Sequence, residues 1–410
     1  MKVLRRVCGV SGPSWAARGL ATIIPKVSQV DNSSGFLGNV PHRQHPGILH
    51  LKTVKLPPEL VQIAHFLVTQ SSMRDLEKQT KALTNYLWSR KRPLETMDLR
   101  RKALEVEQKL REEAILAHPK VTPKSSVLCI WQPEWMGCLQ LYHELFMRAA
   151  HSIWGKTMNE YMNIDTSAPM LALAERLMKG MSENQEPCFP GVYFRQFLPV
   201  SPKVKFDLVV SAFSLNELPG QAQRVETVQT LWRKTDGFLV LIENGTKEGH
   251  QMLMEARDAV LKGKDKVIHD FREPYIFAPC PHHLPCPRLS PERPLPCNFI
   301  QTYCPLPFSW NPQQKEEKFS FLILRRGPGE SKEPWPRITQ PVLCRPRHVH
   351  VHLCCPDGTL QHAVVTPKKH GRDFYRCARS SQCGDCLPVL NPDSEPALGE
   401  EDSHIDKEQS

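Results

Sequence analysis

Phe206-Asp-Leu-Val-Val-Ser-Ala-Phe213 and Gly237-Phe-Leu-Val-Leu-Ile-Glu243 are the stretches that decide the fold, with a helical pattern from Gln221 to Trp232 between them. Each is a continuous hydrophobic run rather than an alternation. A strand of that kind is covered on both faces, as in a parallel sheet flanked by helices. Working outward, Glu160–Asp165 and Val192–Phe197 read as short strands, Ala168–Met178 and Gly249–Leu261 as helices, and Phe319–Leu324 as a last strand. Alternating strand and helix predicts an α/β domain with a mostly parallel sheet.

Ligands of such sheets bind outside the carboxyl ends of the strands. Asp165 ends its strand there, placed to accept hydrogen bonds from ribose hydroxyls. Ser211, Ala212 and Phe213 end the next, where a cofactor's base or sulfonium would lie. The competing reading makes Asp165 a partner in the N-terminal turn of the following helix.

Ahead of this domain, residues 50–125 read as packed helices. Pro57-Pro58 opens one with Leu60, Ile63, Phe66 and Leu67 on one side, and two more follow from Ser72 and Pro93. No apolar run approaches the roughly 20 residues of a membrane span. Residues 1–30 hold five Lys or Arg and no acid before Asp31, the composition of a mitochondrial presequence. The formal net charge is +10, of which residues 1–26 supply +5 and the acidic, disordered tail 393–410 supplies −6. The body between carries +11, which suggests a polyanionic partner, and RNA is the candidate in an organelle.

Ten of the 14 cysteines lie from Cys280 onward. Cys280-Pro-His-His-Leu-Pro-Cys286 is followed by Cys297 and Cys304, then by Cys344, Cys354, Cys355, Cys377, Cys383 and Cys386. Thiolates concentrated among prolines look like ligands for zinc, copper(I) or an iron–sulfur cluster. A disulfide framework is the weaker reading, because nothing in the chain looks secretory. The spacing matches neither a zinc ribbon nor a bacterial ferredoxin, so it supports a four-thiolate site and leaves the metal open. Alternation puts His348, His350 and His352 on one face of a strand, read as facing solvent.

These readings divide the chain into a presequence (1–30), a helical region (50–125), an α/β domain (126–270), a cysteine-rich region that includes the last sheet strand (271–392), and the tail (393–410).

The segments NIDTSAPMLALAERL, FDLVVSAFSLNELP, FLVLIENGT and FSFLILRRG resemble class I, Rossmann-like methyltransferases that use S-adenosylmethionine. A more specific resemblance lies in RQFLP, YIFAPCPHHLPCP, RITQPVLCRPRHVHVHLCCPDG and HGRDFYRCAR, which are similar to the Rsm22-type family of mitochondrial small-subunit assembly factors. That resemblance implies a methyltransferase-like domain, a C-terminal extension, and a four-cysteine [4Fe-4S] cluster, with zinc as the alternative. It also implies association with the assembling mitochondrial small ribosomal subunit and its rRNA in the matrix, the chain being a monomer outside the particle. Carried over by position, the ligands are Cys280, Cys286, Cys297 and Cys377, with Cys304 competing for the place of Cys297.

One departure stands out. No Asp-x-Gly-x-Gly-x-Gly occurs, and the segment from Ser126 to Arg148 reads as replacing both the first strand and the Gly-rich loop. The expectation is therefore a sheet lacking its first strand and a domain that does not methylate. An active rRNA methyltransferase and a zinc-stapled structural protein are the alternatives.

Overall fold

In a computed structural model, the described residues are 45, 47–48, 53–70, 128–131, 147–148, 150–151, 160–180, 184–263, 270, 272–289, 295–307, 312–327 and 334–389. The expected presequence, the acidic tail and the helices expected from Ser72 and Pro93 lie outside them. The chain divides into two compact units, Leu49–Pro334 and Met1–Ile48 with Trp335–Ser410. The boundary expected at 270 thus moves to 334. Cys280–Cys304 belongs with the large sheet rather than with the later cysteines.

The larger unit is built on one nine-stranded sheet. In chain order its described elements are β1 (Val54–Lys55), α1 (Pro58–Gln70), β2 (Leu128–Trp131), β3 (Tyr161–Ile164), α2 (Ala168–Lys179), β4 (Val192–Arg195) and β5 (Phe206–Ala212). There follow α3 (Gln221–Lys234), β6 (Thr235–Asn244), α4 (Lys247–Leu261), β7 (Pro274–Ala278), β8 (Phe299–Cys304) and β9 (Lys315–Arg326). The strands run in the order β1-β8-β9-β6-β5-β2-β3-β4, and β7 also pairs with β9. From β4 to β6 the pairs are parallel, and β9 is antiparallel to β6, β7 and β8.

The expected loss of the first strand is corrected here. Leu128–Trp131 is a strand in the middle of the parallel section, with Leu128 opposite Val209 and Ile130 opposite Ile164. The physical signal was present in Val127-Leu-Cys-Ile-Trp131, an apolar run between polar neighbours. That run forms a strand although no Gly-rich motif follows it in the sequence. The Gly-rich loop itself would fall in residues 132–146, outside the described residues.

Both faces of the sheet are covered, as continuous apolar strands require. On one face Val209, Leu239, Leu241, Leu322 and Leu324 pack with Val228, Leu231 and Trp232 of α3 and Leu253, Met254 and Val260 of α4. On the other, Tyr161, Phe194 and Val210 meet Leu171, Ala174 and Met178 of α2, together with Met147. Val209 and Val210 therefore go to opposite cores, as successive strand residues must.

The smaller unit carries a four-stranded antiparallel sheet of β10 (Arg337–Ile338), β11 (Leu343–Cys344), β12 (Val349–Cys354) and β13 (Leu360–Val365), followed by α5 (Pro367–His370) and α6 (Arg372–Ser380). Val349, Val351, Leu353, Ala363 and Val365 form one buried face against Phe374 and Ala378 of α6. The Cys386 N–H bonds the Gly47 carbonyl at 2.8 Å and ties the segment around His45 to this unit.

Candidate functional site

Two places in the larger unit gather the chemistry-bearing residues: the carboxyl end of the parallel strands, and the loop after β7.

Asp165 follows β3 and Phe213 follows β5, and β2 lies between those two strands. The sheet therefore brings Asp165 and residues 211–213 to the same end. Asp165 is buried, and its Oδ1 accepts the Ser167 N–H at 2.7 Å. Ser167 in turn caps α2, its Oγ accepting the Met170 N–H at 3.4 Å. The helix-turn role of Asp165 is thus present, one residue removed from the cap itself.

Ser211 is buried with its Oγ 2.5 Å from that of Ser214, and Ala212 is buried beside it. Phe213 has φ 56°, the left-handed region that a bulky residue rarely occupies, and its N–H bonds the Ile242 carbonyl at 2.7 Å. Such strain persists where the surroundings enforce it, and it clusters at ligand sites.

Sequence reasoning missed the residue that enforces this turn. Glu243, at the end of β6, is fully buried and its Oε1 accepts the Leu215 N–H at 2.8 Å. Burial pushes its carboxyl up to about 8, opposed by the backbone N–H bonds it accepts. The signal available in sequence was an acid closing an otherwise apolar strand.

The second place starts at Cys280, after β7. Cys280 and Cys286 are half-buried and packed against the core beneath α4. Arg288 donates to the Pro296 carbonyl at 3.0 Å and Leu295 N–H to the Arg288 carbonyl at 2.9 Å, which ties the Cys286 segment to the one bearing Cys297. The Cys297 carbonyl accepts from Ser320 of β9 at 2.7 Å. Cys304 ends β8, opposite Lys55 of β1.

Beneath this loop α4 presents two polar side chains that the sequence did not single out. His250 Nε2 lies 3.8 Å from Cys286 Sγ, while its Nδ1 is buried without a hydrogen-bond partner among the described residues. Arg257, two turns on and 1% exposed, donates to the Leu284 carbonyl, and its Nε–H has no acceptor among the described residues. Gly249 lets this helix start close in, because a Cβ there would meet the Asn244 carbonyl oxygen at 2.1 Å. Burial lowers the His250 imidazole to about 4 and raises the Cys286 thiol, whose rise Arg257 and Arg288 oppose.

Soft thiols beside a buried guanidinium are what an anionic thiolate–metal centre requires. The donor chemistry fits. Among the described residues, no three His, Cys, Asp or Glu side chains converge in a group able to hold a metal ion.

Cys377 belongs to the smaller unit. It lies in α6, 1% exposed, where burial pushes its thiol up to about 11. Cys354 and Cys355 at the end of β12 are also buried. His350 and His352 share the face of β12 opposite its buried valines, His348 directly precedes the strand, and all three are half-buried rather than open to solvent as expected. No described helix is long and apolar enough to cross a membrane.

Comparison with known proteins adds the lineage. Over 96% of both chains, this one is 51% identical to the human protein "Ribosome assembly protein METTL17, mitochondrial". That match runs over 439 positions, more than the 410 residues here, so the relative carries segments that this chain lacks. The mitochondrial Rsm22-cox11 tandem proteins 1 and 2 of Schizosaccharomyces pombe are each 28% identical over 229 residues, covering 47% of this chain and 30% of theirs. The family model described as mitochondrial small ribosomal subunit Rsm22 matches residues 131–388, more than half of the sequence, and the chain belongs to that family.

Proposed function

We propose that this chain is an assembly factor of the mitochondrial small ribosomal subunit, binding its rRNA in the matrix as a monomer outside the particle. The observation that carries the assembly role is the 51% identity, over 96% of both chains, to a protein named for ribosome assembly. The body charge of +11 supports RNA as the surface it meets. The test is sedimentation of mitochondrial extract containing the tagged chain. Co-migration with small-subunit precursors is expected, and a chain found only at the top of the gradient sinks the reading.

The α/β body is proposed to be methyltransferase-like without catalysis. Its parallel strands wind outward from β2, and Asp165 and Phe213 flank the point where the winding reverses, the usual place for a nucleotide-type cofactor. Yet the sequence has no Gly-rich loop to let the backbone approach one. Asp165 already serves its own turn, and Ser211-Ala-Phe-Ser214 offers no general base. Calorimetry is expected to show no S-adenosylmethionine binding tighter than about millimolar, since one carboxylate contact is far short of the roughly 8 kcal/mol that micromolar affinity needs. Micromolar binding, with methyl transfer to rRNA, would reinstate the enzyme.

Cys280, Cys286, Cys297 and Cys377 are proposed to hold a [4Fe-4S] cluster, a staple whose binding stabilises the fold. The support is the family resemblance together with the soft thiols of the loop and the buried Arg257 guanidinium of α4 that donates to the Leu284 carbonyl. Anaerobically purified protein should be brown and contain iron and sulfide. Colourless protein with stoichiometric zinc favours the zinc staple. Serine at Cys297 and, separately, at Cys304 decides the third ligand.

A further inference from the structure

The histidines of the small sheet have no part in the chemistry above, and they are not scattered. His352 and His362 are direct cross-strand partners on β12 and β13, their rings stacked at 4.4 Å and 9°. His362 also stacks with His350 at 5.2 Å and 27°, with His362 Nε2 3.0 Å from His350 Nδ1. His348 meets His350 edge-on at 5.0 Å. Four imidazoles thus form one connected row, half-buried, on the face opposite the apolar residues that pack on α6.

The row lies in a basic setting. Arg345 and Arg347 are exposed on the turn leading into β12, and the Arg345 N–H bonds the His348 carbonyl at 2.9 Å. Arg379 of α6 donates to the Arg345 carbonyl, which fixes that turn beside the rings. Between residues 334 and 389 there are eight Lys or Arg and three acids. A solvent-facing sheet surface needs neither a chain of stacked rings nor so one-sided a charge. A strand of RNA uses both: its unpaired bases prolong an aromatic stack, and its phosphates meet arginine.

We infer that the outer face of β12 and β13 is a contact surface for single-stranded RNA, in which bases continue the row of His348, His350, His352 and His362 and Arg345 and Arg347 take the backbone phosphates. This rests on the rRNA reading above and supplies the surface which that reading leaves open. Single strands are specified because duplex bases are stacked on one another and have no face to offer.

The test is fluorescence anisotropy of the full chain with a labelled mixed-sequence RNA of about 12 nucleotides, single-stranded and as a duplex. Joint His352→Ala and His362→Ala substitution should weaken single-strand binding at least about tenfold, while Phe at both positions keeps it within about threefold of the parent. An alanine pair that binds like the parent overturns the inference, as does equal binding of the duplex. Binding abolished by a chelator and restored by zinc also overturns it, because the rings then serve a metal. If the alanine pair does not fold, photo-crosslinking of the parent to RNA bearing 4-thiouridine decides. Crosslinks in residues 345–364 support the surface, and crosslinks confined elsewhere remove it. A parent that co-migrates with subunit precursors while the alanine pair keeps full RNA affinity breaks this inference alone. A parent that binds RNA here yet never meets the subunit breaks the assembly reading instead.

Discussion

Glu243 Oε1 accepts the Leu215 N–H at 2.8 Å, so the residue that closes β6 holds the turn that closes β5. That turn carries Phe213 in its left-handed conformation, and a loop strained in this way needs a partner that outweighs the strain. Glu243 is fully buried, and its second oxygen has no hydrogen-bond partner among the described residues.

The first prediction follows from its protonation. Burial raises the folded carboxyl from 4.5 to about 8, so the folded chain binds this proton more tightly than the unfolded chain does. Stability should therefore fall as pH rises from about 4.5 to about 8, by at most on the order of 5 kcal/mol. Glu243→Gln keeps an acceptor for Leu215 and cannot ionise, but it buries an amide N–H at a loss of about 1–3 kcal/mol. Urea unfolding should show the variant less stable than the parent near pH 5 and more stable near pH 9. Parallel stability–pH curves would mean that Glu243 does not titrate in this window.

Asp165 gives a second. Its carboxylate accepts from Ser167 and so steadies the turn that leads from β3 into α2. Asp165→Ala should lower stability by about 1–2 kcal/mol, and Asp165→Asn by less than about 1, since the amide oxygen keeps the acceptor. Co-migration with the small subunit should be unaffected by either. Loss of co-migration with stability intact would show that the carboxylate faces a partner rather than its own turn.

A third concerns Arg326 at the end of β9. Its guanidinium donates to the carbonyls of Thr235 at 2.6 Å and Trp232 at 2.7 Å, lies 4.2 Å over the Trp232 ring, and sits 3.5 Å from Asp270. One side chain thereby joins the end of α3, the start of β6 and β9. Arg326→Ala should destabilise by about 2–4 kcal/mol, because it strands two buried carbonyls and removes a buried guanidinium from the Trp232 ring. Hydrogen bonds from Arg272 and Lys205 hold the Asp270 carboxyl well below the usual range. Its contribution is present above the ordinary carboxylate pKa and lost as pH falls toward the folded value. Asp270→Asn should accordingly flatten the acid limb of the stability curve, and an unchanged limb would refute the pairing.

The strands at 206–212 and 235–244 were readable because burial on both faces leaves an unbroken apolar run, and α2 to α4 because their apolar positions recur at helical spacing. Leu128–Trp131 is the same kind of run and forms its strand without a Gly-rich motif after it, because strand formation depends on the apolar run and not on the cofactor loop. The placement of Asp165 with residues 211–213 followed from the rule about carboxyl ends. Glu243, His250 and Arg257 were not readable, because each acts on a loop 27–36 residues distant in sequence, and no local pattern records such a partner. The histidine face was visible as alternation, but its stacking needed His362 from the next strand.

The last prediction uses Arg257 to ask what the thiol loop is built around. Its guanidinium is buried and donates to the Leu284 carbonyl; among the described residues its Nε–H has no acceptor and its ion pair is a 3.8 Å contact with half-buried Asp258. A buried cation so poorly compensated is unfavourable by several kcal/mol unless an anion lies beside it. A cluster held by thiolates would be that anion, and its absence leaves the cation uncompensated. Arg257→Met should then change stability by no more than about 1 kcal/mol in metal-free chain, where removing the charge offsets the lost bond to Leu284. In chain reconstituted anaerobically with iron and sulfide, the same substitution should cost about 2 kcal/mol more and speed loss of the visible absorbance under chelator. Urea unfolding of both forms measures this difference directly. Equal destabilisation with and without iron would show that Arg257 serves the Leu284 carbonyl alone, and a greater loss in the metal-free chain would place its counter-charge in the protein itself.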